Sequence, residues 1–274
     1  MKKALSIICL AALVAGSGMN VQAQFRNSFF LNGGLPVGGF AGDVNASRYV
    51  TYYNGLANQA TFANVPLGYQ EIAKGATAGF GAGYRASYRF DVGVGMVAPF
   101  AQADLFVNFC NSDISSEYGK VRGTAPTYFN VPLQVGITYM YDELPSDVIP
   151  YGEIGLGADL LFITKEGGCQ YTDALTNTRV NTITFNYKPS TSFAFSIGAG
   201  AYFGRHVSAG VYYYFMGTHP LDYTKGTENN LQNIPAPAAD QPAGNTDYSE
   251  YDYYMDNAES RNVGTFALRI GFHF

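Results

Sequence analysis

The chain has no tryptophan, only three cysteines and three histidines in 274 residues, and just 14% charged side chains. Soluble domains usually carry about 25% charged residues, so this composition covers an ordinary water-facing surface poorly. Long apolar runs are scarce too. Beyond residue 15 no stretch offers the roughly 18 uncharged apolar residues of a membrane-crossing helix, which excludes helical spanning. No GxSxG nucleophile motif is present. The glycine-rich "GFGAGY" has no helix after it to make a phosphate-binding loop. Two scattered cysteines outside the N-terminal run are too few for a metal centre. No catalytic, metal or cofactor site is therefore expected, and the chain is read as a non-enzyme.

The one apolar run, residues 4–15, follows Lys2 and Lys3 and leads to Val21, Gln22 and Ala23. A basic region, a hydrophobic region and a small-x-small site make a cleavable export signal over residues 1–23, cut after Ala23. Cys9 lies inside that run without a lipoprotein signature and leaves with it. Removing two lysines and no acids leaves 16 − 2 = 14 basic against 21 acidic residues, a net charge of 14 − 21 = −7. That balance excludes nucleic acid as a partner. Residues 24–274 form the remaining domain.

What is abundant is glycine, at 32, and aromatic residues, with 22 Tyr and 20 Phe. They fall in strict alternation. The final "GTFALRIGFHF" puts Phe266, Leu268, Ile270, Phe272 and Phe274 on one face, with Arg269 and His273 on the other. Residues 76–90 set Ala76, Ala78, Phe80, Ala82, Tyr84, Ala86, Tyr88 and Phe90 against Gly79, Gly81, Gly83, Arg85 and Arg89. The same period of two runs through residues 97–109, 129–141, 150–162, 193–203 and 207–215, and more weakly through 25–35, where adjacent Phe29 and Phe30 blur the faces. Connections alternate between short and long, the long ones near 36–75, 110–127, 164–190 and 217–261. Phe109, Phe129, Phe162, Phe193 and Phe215 group at one rim; Phe90, Tyr139, Tyr141, Phe203, Phe272 and Phe274 group at the other. Two aromatic belts on one face suit the two interfaces of a bilayer. The expectation is an all-β, transmembrane, antiparallel up-and-down barrel of eight strands with four long extracellular loops, in the outer membrane of a Gram-negative cell. A ten-stranded variant using "SRYVTYY" stays open.

An eight-stranded lumen is about wide enough for its own side chains. Inward positions carry Arg85, Arg89 and Arg269 against Asp104, Glu153 and Asp159, three of each sign. Such a cluster either plugs the barrel or lines a narrow path for small solutes. Cys110 and Cys169 sit above strand ends in successive long loops and form a candidate disulfide of an oxidising compartment. The loop 219–260 carries Asp222, Glu228, Asp240, Asp247, Glu250, Asp252, Asp256 and Glu259, with Tyr248, Tyr251, Tyr253 and Tyr254 interleaved. It is either a solvated variable loop or a surface for an extracellular glycan or protein ligand. His219, with Asp222 beside it, is the one histidine placed where surface catalysis on lipid could occur.

The C-terminal "FALRIGFHF", the opening "NGGLPVGGF" and the strand "NVPLQVGITYMY" resemble the small outer-membrane barrel-domain family found widely in Bacteroidota, akin to OmpX- and OmpW-type proteins. The resemblance implies that Phe272 and the terminal Phe274 serve as a signal for the barrel-assembly machinery. It brings no catalytic residue. The expected function is a monomeric structural or binding barrel with its specificity in the long loops. The alternatives are a narrow porin-like channel and, further off, a lipid-modifying enzyme.

Overall fold

The computed structural model describes residues 24–42, 50–54, 59–63, 73–110, 113–116, 119–122, 125–144, 147–167, 182–228 and 260–274. Residues 1–23, expected as an export signal, lie outside these, as do Cys169 and residues 229–259 of the last loop.

Eight strands close the barrel: β1 (Gln24–Val37), β4 (Ala76–Asp91), β5 (Met96–Cys110), β8 (Thr127–Met140), β9 (Val148–Ile163), β12 (Ser190–Phe203), β13 (Val207–Pro220) and β15 (Ser260–His273). Each pairs antiparallel with its chain neighbours, and β15 returns to β1 from Ser28↔His273 to Val37↔Gly264. Closure leaves no sheet edge, which is the condition for β structure in hydrocarbon, where each unmet backbone group costs several kcal/mol. Among the described residues, seven minor strands sit in the long connections. These are the ribbons β2 (Val50–Asn54) with β3 (Gln59–Ala63) and β6 (Asp113–Ser116) with β7 (Gly119–Arg122), and a small sheet of β10 (Glu166–Gly167), β11 (Thr182–Tyr187) and β14 (Tyr223–Glu228). The described part of "SRYVTYY", residues 50–53, lies in the first ribbon, and the closed barrel has eight strands and not ten.

The barrel is apolar outside and polar inside. Leu268, Phe193, Val211, Ile154 and Phe80 are exposed on the wall, whereas Arg269, Asp104, Glu153 and Gln134 are buried in the lumen. That inversion marks a lipid-facing surface, because water would drive the same side chains inward. No described helix is long and apolar enough to cross a membrane; the strands cross instead. The protein is a transmembrane barrel of the outer-membrane type.

Alternation holds at the ambiguous pair in β1 and breaks at two places. In β1 the adjacent phenylalanines separate cleanly, Phe29 facing lipid at 42% exposure and Phe30 facing the lumen at 2%. Ala76, expected on the lipid face, is buried, because the β4–β5 register shifts between Ala76 and Gly79. A second shift, between Phe215 and Gly217 in β13, turns His219 inward beside Met216, which already faces the lumen in phase with Tyr212 and Tyr214. Gly217 makes that shift at φ 84, a conformation that side chains with a Cβ resist.

Candidate functional site

Four of the six expected lumen charges meet at the middle of the barrel. Arg85 on β4 donates to Glu153 on β9 through Nη1 (2.7 Å) and Nη2 (2.5 Å), and through Nε to Gln102 Oε1 (2.6 Å). Arg269 on β15 donates to Asp104 Oδ2 (3.2 Å) and Oδ1 (3.3 Å), to Glu153 Oε1 (3.4 Å) and to Asn32 Oδ1 (3.1 Å). Thr138 adds a bond to Glu153, and the Tyr214 hydroxyl takes a hydrogen from Arg269 and gives one to Asp104. Two guanidiniums and two carboxylates cancel, and every named partner is buried. The strand order places β4 and β9 three steps apart around the wall, so the Arg85–Glu153 pair spans the lumen.

Aromatic rings hold the guanidiniums in place. Phe30 lies 4.9 Å from the Arg85 carbon and 4.3 Å from that of Arg269. Phe100 covers Arg85 at 3.9 Å and Tyr212 covers Arg269 at 4.2 Å, each a cation–π contact in a dry site. Inward glycines make the room. A Cβ on Gly83 would strike the Asp104 carboxylate, and one on Gly198 would strike the Tyr212 ring. The lumen is therefore filled at its middle by a neutral, hydrogen-bonded network.

The other two expected members lie apart, which corrects the picture of one six-charge cluster. Arg89 sits nearer the inner end, 4.9 Å above the Tyr202 ring. Tyr202 also meets His273 (4.8 Å), which is held between Ser28 Oγ (2.7 Å) and Ser208 Oγ (2.8 Å). Asp159 lies toward the outer end, with Oδ2 3.1 Å from His219 Nε2, and His219 Nδ1 is 3.0 Å from Ser190 Oγ. Four residues along β4 separate Arg89 from Arg85, and six along β9 separate Asp159 from Glu153; at about 3.3 Å per residue neither reaches the central network.

A Ser190–His219–Asp159 series resembles a nucleophile, base and orienting acid in composition. His219 and Asp159 are 0% exposed, and the Nε2–H of His219 points along its 2.9 Å bond to Met216 O. The series braces β9, β12 and β13 against each other. His219 was expected at the surface near Asp222; the bulge turns it inside, and Asp222 instead pairs with Lys188 at 2.7 Å.

Above His219 the outer mouth is covered. Phe40 is buried edge-on against Tyr128 (5.6 Å, 90°), and Tyr128 donates to Lys74 O at 2.9 Å. Ala73, at φ 50, gives its N–H to Glu166 Oε2 at 3.0 Å, and the Tyr187 hydroxyl donates to the same oxygen. Burial raises the Glu166 carboxyl above the usual carboxylate range. Burial and the nearby Glu166 charge likewise push the Tyr187 hydroxyl up, so it stays a neutral donor. Cys110 points into this cover, its Sγ 3.2 Å from Lys74 O, and its candidate partner Cys169 is outside the described residues. Asn32, Tyr214, Glu166 and Tyr187 carry no signal in the sequence that marks them for these contacts. Only Gly217, a glycine within an otherwise regular strand, hinted at the bulge.

No family model matches the chain, and no curated protein matches it. Several solved structures do. The outer membrane protein OprG from Pseudomonas aeruginosa is similar at 12% identity over 91% of this chain and 95% of its own, with a TM-score of 0.36. Ail, the attachment invasion locus protein of Yersinia pestis, is similar at 10% identity over 92% of this chain and 99% of its own, with a TM-score of 0.33. A major outer membrane protein from Thermus thermophilus is similar at 13% identity over 90% of this chain and 99% of its own, with a TM-score of 0.35. Overlap this loose decides nothing; the barrel stands on its own strand pairing and on its apolar outer wall.

Proposed function

We propose that this protein is a monomeric, non-enzymatic outer-membrane barrel whose wall and lumen are structural and whose long outer loops carry its specificity. The observation behind this reading is the neutral Arg85–Glu153–Arg269–Asp104 network, which fills the middle of the lumen. The covered outer mouth, with Phe40, Ala73 and Glu166 buried, supports it further. The acidic, tyrosine-rich loop 219–260 is the candidate surface for an extracellular glycan or protein. The resemblance of "FALRIGFHF" and "NGGLPVGGF" to the small barrel-domain family of Bacteroidota supports recognition by the barrel-assembly machinery.

A narrow channel is the second reading, favoured by one observation: the plug is made of side chains and not of backbone. Planar-bilayer conductance of the refolded chain 24–274 tests the two readings. Silence from a folded, heat-modifiable barrel supports the scaffold. A resolved conductance that changes in Arg85→Ala overturns it in favour of the channel. A lipid-modifying role for His219 predicts that His219→Ala changes the lipid profile of cells, and the scaffold predicts no change.

A further inference from the structure

At the inner end of the lumen, arginines from separate strands converge on one hairpin. Arg89 leaves β4 and lies 4.9 Å from the ring of Tyr202 on β12, four steps away around the eight-stranded wall, so it crosses the mouth. Arg26 on β1 is in phase with the buried Ser28 and Phe30, and it faces Ser87 of β4. It is therefore the diagonal neighbour of Arg89 on the lumen side. Its Nη1 reaches past β15 to the turn between β12 and β13, where it donates to the Arg205 carbonyl at 2.9 Å. Tyr202 and Arg205 are three residues apart in the chain, and the Arg205 side chain is exposed at that turn.

Their charge is not balanced within the barrel. Among the described residues, ion pairs join Arg85, Arg269, Lys188 and His219 to acids, and none joins Arg26, Arg89 or Arg205 to one. Asp91, on the same face of β4 as Arg89, turns its Oδ1 onto the Gly93 N–H at 2.8 Å. Asp147 flanks the β12–β13 turn, and there its backbone carbonyl takes the Gly204 N–H at 2.9 Å. Arg89 and Arg205 act on Arg26 as like charges. A guanidinium carries five N–H donors in a fixed fork. Arg26 spends one of them on Arg205 O, and Arg89, held by its ring contact, spends none among the described residues. Forks that arrive from different strands suit an anion with several oxygens around one centre. A phosphate group meets that requirement better than a planar carboxylate, whose two oxygens one fork already occupies.

We propose that the inner mouth of the barrel binds a phosphate group through the guanidiniums of Arg26, Arg89 and Arg205. Short turns of such barrels face the periplasm, so the group comes from that side. Free phosphate and the headgroup of an inner-leaflet phospholipid share this chemistry, and the test separates them. The site lies away from the outer loops and holds for a closed scaffold and for a narrow channel alike.

The test is a phosphorus NMR titration of the refolded chain 24–274 in dodecyl maltoside, a detergent without phosphorus, at one ionic strength. Inorganic phosphate is added in one arm, and short-chain phosphatidylglycerol, below its micelle concentration, in the other. Wild type should bind saturably. Arg89→Gln and Arg205→Gln should each weaken binding about tenfold, the size of one lost charge-assisted hydrogen bond. Lys188→Gln, at the outer end, should leave it unchanged. Phosphatidylglycerol that displaces bound phosphate assigns the site to a lipid headgroup, and phosphate that lipid does not displace assigns it to the free ion; both support the proposal. No saturable binding in either arm overturns it, as does binding that both arginine variants leave unchanged. If Arg89→Gln yields no heat-modifiable barrel, Arg205→Gln, altered only on the exposed turn, decides.

Discussion

Arg85 and Glu153 meet end-on across the barrel, two parallel hydrogen bonds of 2.7 and 2.5 Å joining β4 to β9 with both side chains buried. Bidentate geometry of this kind holds direction as well as charge. The pair is also shared: Glu153 takes a bond from Arg269 and Gln102 takes one from each arginine, so neither ion pair stands alone.

Breaking the network from one side leaves a buried charge without its partner. Glu153→Gln or Arg85→Met should each destabilise the folded barrel by about 3–5 kcal/mol. The double variant Arg85→Met with Glu153→Met should cost less than the two singles added, because it removes both charges together. Urea unfolding followed by tyrosine fluorescence or far-UV dichroism measures all three.

Gly217→Ala probes the bulge. The backbone there is at φ 84, and a Cβ would press on Ser192 and the Phe193 carbonyl. Left-handed conformation alone costs a residue with a Cβ about 1–2 kcal/mol. The expected result is a loss of at least that size in the same unfolding assay, together with altered ring signals of His219 in an NMR spectrum. An alanine that leaves both unchanged would show that the bulge is not needed to turn His219 inward.

Glu166 links pH to the cover over the outer mouth. Its carboxyl is raised in the folded state, chiefly by burial, so the folded chain holds the proton more tightly than the unfolded one. The stability this adds is full below the unfolded carboxylate pKa, about 4.3, and is lost as pH rises through the raised folded value. Hydrogen exchange at Ala73, corrected for the intrinsic effect of pH, should therefore report easier opening above that window. Glu166→Gln should flatten the dependence.

Phe274 offers a different kind of test. It is 74% exposed on the lipid side, so its removal costs no lumen packing. Phe274→Ala should lower the amount of heat-modifiable barrel in cells while refolding in detergent proceeds as in wild type. Equal loss in both settings would make the residue a stability element and not an assembly signal.

The lipid-facing half of this molecule was legible along the chain, and the lumen only in outline. Leu268, Val211, Ile154 and Phe80 alternate with small or polar residues, and a period of two assigns each to a face without knowledge of its neighbours. Arg85, Asp104, Glu153 and Arg269 were readable as inward charges for the same reason. Which of them touch depends on height around a closed cylinder. That height follows from the register of every strand pair, so Asp159 and Arg89 could not be separated from the rest by spacing. Phe30 was ambiguous because its neighbour Phe29 is equally apolar, and only pairing with β4 and β15 assigns the two faces. The register shifts at Ala76 and Gly217 were invisible to a rule that assumes regular alternation.

Alternation, loop rhythm, low charge and aromatic belts determined that these residues form a lipid-embedded barrel, because each is a local property set by the bilayer and the two-residue period. Tertiary structure alone decided that the lumen is filled by two shared ion pairs, that His219 turns inward and that Glu166 clamps the outer cover. Those contacts join strands distant in the chain, and their energies depend on distances and burial that exist only once the cylinder has closed.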